Sequence, residues 1–167
     1  GVVAAIHAGW RGTVARIITE TLQVMNRTYG TQGKDVVACI GPSISLEAFE
    51  VGDEVYTCFE QQGFDMQRIA SRQEKWHIDL WEANRIELLN AEVPAEQIEV
   101  AGICTYIHHD EFFSARRLGI DSGRTLSGIM IVYNWEHSLN ASFTIDSRLV
   151  KYRNSLNDEI SLFVKCP

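Results

Sequence analysis

Apolar residues recur at two spacings near the start of the chain, and each spacing predicts one type of element. Residues 2–6 form a short apolar, partly β-branched run, which predicts a buried strand. After Thr13, apolar side chains recur every three or four residues. This pattern predicts an amphipathic helix that Thr13 caps and that Gly30 and Gly33 end. The opening is therefore a strand, a glycine-containing turn and a helix.

Further strands and helices are predicted as far as residue 91. Residues 35–40 read as a second short buried strand, and residues 51–59 place their apolar side chains on one helical face. Asp79 stands where it would cap a helix running to about residue 91. The polar stretch 64–75 predicts an irregular loop.

The second half of the chain is less regular. Residues 98–104 and 124–132 are predicted strands. Residues 133–167 are rich in Asn, Ser and charged side chains, and only 160–164 indicates a further strand. We therefore divide the chain into a domain at 1–132 and a divergent C-terminal appendage at 133–167.

Composition narrows the class of protein. A chain of 167 residues with 46% hydrophobic and 22% charged residues is typical of one globular domain. A net charge of −7 argues against binding to nucleic acid or to a membrane surface. The four cysteines show no CxxC spacing, which favours a reducing, cytoplasmic location. The start at Gly1, without Met, leads us to expect a fragment of a longer protein.

The loop at residues 7–12, with the sequence HAGWRG, is the most informative local motif. His7 follows a buried strand, and neutral imidazole is a good zinc ligand. Arg11 lies near a predicted helix N-terminus, where backbone N–H groups favour an anion. The alternative is a hydrogen-bonded structural histidine beside a solvated arginine.

A second cluster combines arginines with aromatic residues. Arginine suits bidentate contact with an oxyanion, and an aromatic ring can border a flat base. The alternative is a surface loop that the two aromatic rings anchor in the core. The residues of this cluster are Phe112, Phe113, Arg116, Arg117 and Arg124.

Three other features admit a chemical role, but a simpler role is favoured for each. His108, His109 and Asp110 are adjacent and point in different directions, so an exposed loop is favoured over a metal site. Cys104 is read as a small buried residue rather than a nucleophile. Asp79 is read as a helix cap rather than a catalytic acid. The chain has no Walker loop, GxGxxG, GxSxG or HExxH motif.

Taken together, these motifs resemble the YfiH/laccase-domain family, also described as multicopper polyphenol oxidase-like proteins and as purine nucleoside phosphorylases. The resemblance covers about residues 2–132 and implies an α+β fold with mixed β-sheets layered with flanking helices. The matching strings are HAGWRG at 7–12, GPSI at 41–44, FEVG at 49–52, EV at 54–55, DL at 79–80 with Asn84, CT at 104–105, FFS at 112–114, RR at 116–117 and GR at 123–124.

The resemblance also implies an activity and a metal. Family members are described as zinc enzymes that phosphorolyse adenosine, inosine and methylthioadenosine and deaminate adenosine. Two His and one Cys hold the zinc, and His7 matches the last of these ligands. The other two belong to stretches that precede HAGWRG, so this chain is expected to carry an incomplete metal site. Ala115 stands where the family usually has an aromatic residue.

Chemical type suggests which residues hold the phosphate and which border the base. Arg11, Arg117 or Arg124 would hold phosphate, and Phe112 or Phe113 would border the base. The expected partners are a purine nucleoside and phosphate, with a homo-oligomer possible.

Two alternatives remain open at this point. The older family name implies copper-dependent phenol oxidation, although five histidines are few for a multicopper oxidase. A non-catalytic domain that binds a partner or assembles, through its first strand for example, is the other alternative.

Overall fold

The computed structural model describes residues 1–119, 121–131 and 161–166. Short 3₁₀ turns at Gly33–Asp35 and Ala95–Gln97 precede the second and sixth strands. Within these ranges the elements are β1 (Val2–His7), α1 (Trp10–Val14), α2 (Ile17–Tyr29), β2 (Val37–Ile40), β3 (Glu50–Val51), α3 (Asp53–Gln61), α4 (Met66–Ile69), β4 (Ala70–Arg72), β5 (Trp76–Ile78), α5 (Leu80–Asn90), β6 (Ile98–Val100), α6 (Ala115–Leu118) and β7 (Ser161–Cys166).

The described strands form two separate sheets. One has the order β1-β7-β2-β6, in which β7 runs antiparallel to β1 and β2 while β6 runs parallel to β2. The other is the antiparallel sheet β3-β5-β4. Helix α5 contacts β2, β6 and α2, and α2 also contacts β1. The mixed sheets with flanking helices confirm the predicted α+β class.

The core lies where the larger sheet meets these helices. Val164 of β7 is fully buried and pairs with Ala4 on one side and Ala38 on the other. Helix α2 buries one stripe of apolar side chains, as its periodicity predicts. That stripe consists of Ile18, Leu22 and Met25.

The first predicted helix is in fact two helices, and Thr13 does not cap either of them. Helix α1 starts at Trp10 with Gly9 as its N-cap, and Arg16, with φ of 59°, separates α1 from α2. Thr13 is buried and donates its hydroxyl hydrogen to the carbonyl of Ala8 at 2.9 Å. The prediction erred because a capping residue and a buried threonine look alike in sequence.

The loop predicted at 64–75 is also wrong, since it contains α4 and β4 and leads into β5. Asp65 caps α4 by accepting a hydrogen bond from the N–H of Gln67 at 3.1 Å. Among the described strands, β4 pairs only with β5 and lies at the edge of their sheet. Polar residues are common on edge strands. The sequence of β4 therefore lacks the apolar alternation from which a strand is predicted.

Two of the later strand predictions need correction. β6 ends at Val100, and Cys104 makes only an isolated parallel bridge to Ser43. Residues 124–131 form no strand, and residue 132 lies outside the described residues.

Two other predictions are confirmed. Helix α5 begins after Asp79, whose carboxylate accepts a hydrogen bond from the N–H of Glu82 at 2.9 Å. The strand expected at 160–164 appears as β7, in the interior of the larger sheet. The boundary at 132/133 stays a prediction, since 132–160 lie outside the described residues. Within the described ranges, every helix is too short or too polar to cross a bilayer.

Candidate active site

Helix α5 holds two of the loops that carry the sequence motifs. Near its N-terminus, the Trp81 indole N–H donates to the hydroxyl of Ser43. Three residues on, Asn84 donates to the hydroxyl of Thr13 at 3.2 Å. Residues three apart in a helix are neighbours on its surface, with a rise of about 4.5 Å between them. The HAGWRG loop and the GPSI loop are therefore anchored side by side.

The HAGWRG loop turns tightly because Gly12 has no side chain. A Cβ at Gly12 would lie 3.1 Å from the backbone oxygen of His7, closer than most Cβ contacts. His7 is the last residue of β1, and its side chain is exposed. The His7 imidazole makes no hydrogen bond to a described residue. In the same loop, the Arg11 guanidinium stacks on Trp10, 4.3 Å from the ring centroid. His7 therefore lies exposed at the end of a strand, and its role as a zinc ligand stays a prediction.

The GPSI loop is joined to the segment that carries Cys104. Ser43 accepts a hydrogen bond from Thr105 N–H at 3.0 Å and donates its own N–H to Ile103 at 3.1 Å. The N–H of Ser45 points at the Cys104 sulfur from 3.4 Å. Burial raises the pKa of the Cys104 thiol, but hydrogen bonds from Ser45 and nearby backbone N–H groups outweigh it, so the pKa lies below its usual value. The buried position of Cys104 agrees with the prediction of a small core residue.

His77 is a functional candidate that the sequence did not reveal. It lies on β5, is only 7% exposed, and its Nδ1 is 3.1 Å from the backbone oxygen of Leu46. Across the sheet it pairs with Glu50. No motif marked this residue, because β5 itself was hidden in a polar stretch. Prediction of a strand at residues 76–78 would have indicated that His77 is buried.

The arginines of α6 face two different neighbours. Ser114 caps this short helix by accepting from the N–H of Arg117 at 3.3 Å. Arg116 donates to the backbone oxygen of Glu50 at 2.7 Å. The Arg117 guanidinium lies 5.2 Å from the Tyr106 ring centroid and 3.4 Å from its hydroxyl oxygen. Both arginines are exposed, which leaves Arg117 open to an anion on its solvent side.

The remaining members of the cluster lie against their own loop. A Cβ at Gly123 would come within 2.7 Å of the Phe113 ring, so Phe113 packs against this loop. Phe112 is half-buried, and its N–H donates to the carbonyl of His108 at 2.9 Å. Arg124 donates to the backbone oxygen of Ser122, within the same loop. This packing favours an anchoring role for Phe113, while the substrate-binding roles of all three residues stay predictions.

The described residues do not by themselves fit a complete zinc site. Within 1–119, 121–131 and 161–166, no group of three His, Cys, Asp or Glu side chains converges on one point. His108, His109 and Asp110 are all exposed, which agrees with the exposed loop that was favoured for them. His7 remains available as one ligand of a larger set.

The motifs and the fold can now be compared with known proteins. Residues 1–132 match the family described as multi-copper polyphenol oxidoreductase laccase. The chain belongs to this family. Two solved structures share the fold. Bacillus licheniformis YfiH has a TM-score of 0.63 at 23% identity, covering 95% of this chain and 48% of that one. Geobacillus stearothermophilus YlmD has a TM-score of 0.61 at 28% identity, covering 69% and 47%.

Curated relatives of this laccase-like chain carry names from nucleoside metabolism. A purine nucleoside phosphorylase of Bacteroides thetaiotaomicron is 68% identical over 134 residues, which are 78% of this chain and 50% of that protein. Adenosine deaminase RL5, from an unknown prokaryotic organism, is 48% identical over 132 residues, covering 77% and 50%. The chain therefore spans about half the length of the curated relatives it matches.

Proposed function

We propose that the chain is part of a zinc-dependent purine nucleoside phosphorylase that also deaminates adenosine, with adenosine, inosine and methylthioadenosine as substrates. The observation that carries the proposal is the 68% identity over 134 residues with a protein named purine nucleoside phosphorylase. The relative named adenosine deaminase, 48% identical, supports the deaminase activity. Because the chain spans half of these proteins, the activity is proposed for the protein as a whole.

The phosphate site is assigned to the arginines near α6. Arg117 is exposed and stacks on Tyr106, which orients its guanidinium without neutralising its charge. A guanidinium binds an oxyanion through two parallel N–H groups. Phosphate can therefore bind to the N–H groups of Arg117 that face solvent. Arg116 is tied to Glu50 and would add positive charge rather than a second direct contact. Arg11 and Arg124 stay alternatives for the same role.

His7 is proposed as one zinc ligand, with another His and a Cys supplied from outside this chain. The exposed imidazole at the end of β1 suits this role, since neutral imidazole binds zinc through a ring nitrogen. Zinc would supply a Lewis acid to the substrate. The three described cysteines, Cys39, Cys58 and Cys104, are free thiols, which supports a cytoplasmic location.

Phosphorolysis of inosine tests the proposal. The protein with zinc and phosphate is expected to release hypoxanthine and ribose 1-phosphate. Arg117→Ala should raise the KM for phosphate roughly 10-fold or more, since a charge-assisted contact contributes about 1.5–3 kcal/mol. Arg27→Ala, an exposed arginine in the last turn of α2, is the matched control and should change nothing. An unchanged phosphate dependence in Arg117→Ala would exclude this residue from the phosphate site.

Copper-dependent phenol oxidation is the second candidate, because the matched family is described as a polyphenol oxidoreductase. Metal analysis of the purified protein, followed by assays on a phenol and on inosine, separates the two. Bound copper with phenol turnover and no inosine cleavage would replace the nucleoside proposal. A folded chain that turns over neither substrate would favour the non-catalytic role in binding or assembly.

A further inference from the structure

One ring nitrogen of His77 is held by the backbone, and the other has no hydrogen-bond partner among the described residues. The backbone oxygen of Leu46 can only accept a hydrogen bond, so Nδ1, at 3.1 Å, carries the proton. In the neutral ring Nε2 is then an acceptor, and it makes no hydrogen bond to a described residue. His77 as a whole is only 7% exposed, so Nε2 belongs to a largely buried ring.

His77 lies across the small sheet from the residue that Arg116 contacts. His77 and Glu50 are directly paired across β5 and β3, and side chains of such a pair point to the same face. Arg116 donates to the backbone oxygen of that same Glu50 at 2.7 Å. The His77 ring and the arginine-bearing helix thus flank one short strand.

The charges around His77 disfavour a second anion and favour a neutral polar ligand. A hydrogen bond from Lys75 lowers the pKa of Glu50, which is thus a carboxylate at neutral pH. Glu47 is a second carboxylate nearby, because its own backbone N–H and the Ser45 hydroxyl lower its pKa. Lys75 pairs with Glu50 at 2.7 Å, so the Glu47 carboxylate is the charge that would repel phosphate, whereas a nucleoside carries no charge.

We propose that His77 is a further substrate-binding residue, and that its Nε2 hydrogen-bonds to the purine nucleoside while the arginines hold phosphate. This inference rests on the proposed nucleoside function. A purely structural role would explain the Nδ1 contact with Leu46, but it would require nothing of Nε2. The two nitrogens can therefore be tested separately.

Two amide substitutions separate the two nitrogens. In His77→Asn, the amide nitrogen can take the place of Nδ1 and donate to Leu46, while nothing replaces Nε2. In His77→Gln, the longer amide reaches the position of Nε2, and the contact with Leu46 is lost. The whole protein of which this chain is part is titrated, with zinc, against inosine and separately against inorganic phosphate, by calorimetry.

We expect His77→Asn to weaken inosine binding about 10-fold, the cost of one lost hydrogen bond, and to leave phosphate binding unchanged. His77→Gln should retain more of the inosine affinity than His77→Asn. The reverse order of the two variants, or a loss of phosphate rather than inosine binding, would overturn the inference. Wild-type protein that binds no inosine would instead overturn the proposed function, and this inference with it.

A measurement on the wild-type protein covers the case in which a variant does not fold. ¹⁵N NMR distinguishes the two ring nitrogens of His77. Saturating inosine should shift the Nε2 resonance more than the Nδ1 resonance, which stays bonded to Leu46. Inosine binding that leaves Nε2 unshifted would contradict the contact.

Discussion

At the scale of single residues, buried polar side chains hold the motif loops in place. Thr13 is 1% exposed and Asn84 is fully buried, yet each finds its hydrogen-bond partners in the other and in the backbone of Ala8 and Leu80. A buried polar group without a partner costs more than a satisfied one contributes. These contacts therefore fix the turn that follows His7.

Thr13→Val should destabilise the protein by about 1–3 kcal/mol, because the shape is kept while Ala8 and Asn84 lose a partner. Urea unfolding measures the change. Thr21→Val is the control, since the Thr21 hydroxyl bonds only Ile17 within its own helix and is half-buried. An equal loss of stability in both variants would show that the contact of Thr13 with α5 contributes nothing to the free energy of unfolding.

Asp79 predicts a dependence of stability on pH. Burial raises the pKa of its carboxyl above the ordinary value despite the hydrogen bond from Glu82. The folded state therefore binds this proton more tightly than the unfolded state does. Asp79 consequently lowers the free energy of unfolding as the pH rises from its unfolded-state pKa through its folded-state pKa. Asp79→Asn keeps the cap and removes the titration.

We therefore expect the stability of Asp79→Asn relative to wild type to increase between pH 3 and pH 7, measured by urea unfolding at each pH. Asp79→Ala removes the cap as well, and should be less stable than Asp79→Asn by about 1 kcal/mol throughout. A difference between Asp79→Asn and wild type that falls with rising pH would contradict the direction of the shift.

At the scale of elements, Arg16 breaks the first helix and joins it to the rest of the molecule. A φ of 59° is unusual for a residue with a side chain, and surrounding contacts must maintain it. The guanidinium pairs with the buried carboxylate of Glu87, bonds the backbone oxygen of Gln62 and lies 3.8 Å from the Phe64 ring centroid. Thr19 also donates to Glu87, at 3.0 Å. The break between α1 and α2 is thus held by α5 and by the end of α3.

Arg16→Ala should lower the free energy of unfolding by about 3 kcal/mol, because the Glu87 carboxylate stays buried without its cation. The double variant Arg16→Ala/Glu87→Gln should recover part of this loss, since no charge is then stranded. Asp53→Asn, in an exposed pair with Arg72, should change little. If the stability losses of the two single variants add up to that of the double variant, Arg16 and Glu87 do not interact.

At the scale of the whole molecule, the chain closes through β7. This strand lies between β1 and β2, so β1 pairs with nothing but β7 among the described strands. The strand that presents His7 is consequently joined to the sheet by residues from the far end of the chain. Loss of β7 would release β1 and with it the candidate metal ligand.

Val164→Ala should destabilise the protein by about 2 kcal/mol, because Val164 is fully buried between Ala4 and Ala38. The matched control is Val24→Ala on α2, where the valine is 50% exposed and alanine favours the helix. Thermal or urea unfolding of the two variants makes the comparison. Equal stabilities would show that β7 does not hold the sheet together.

The sequence by itself determined the periodic elements and the family. Apolar runs predicted β1 and β2, helical spacing predicted α2, and a capping aspartate predicted α5, because each signal lies within a few neighbouring residues. The HAGWRG and CT…FFS…RR motifs were sufficient to indicate the family that the comparison confirms. Both kinds of signal are local, and a single chain displays them directly.

Only the tertiary structure decided which distant segments meet. A polar stretch became β4 and led into β5, a weak apolar run became β7 in the interior of the larger sheet, and a threonine that resembled a cap became a buried contact with α5. His77 became a candidate only when Leu46 and Glu50 were seen beside it. These outcomes depend on partners far away in the sequence, and pairing and burial between such partners leave no local pattern to read.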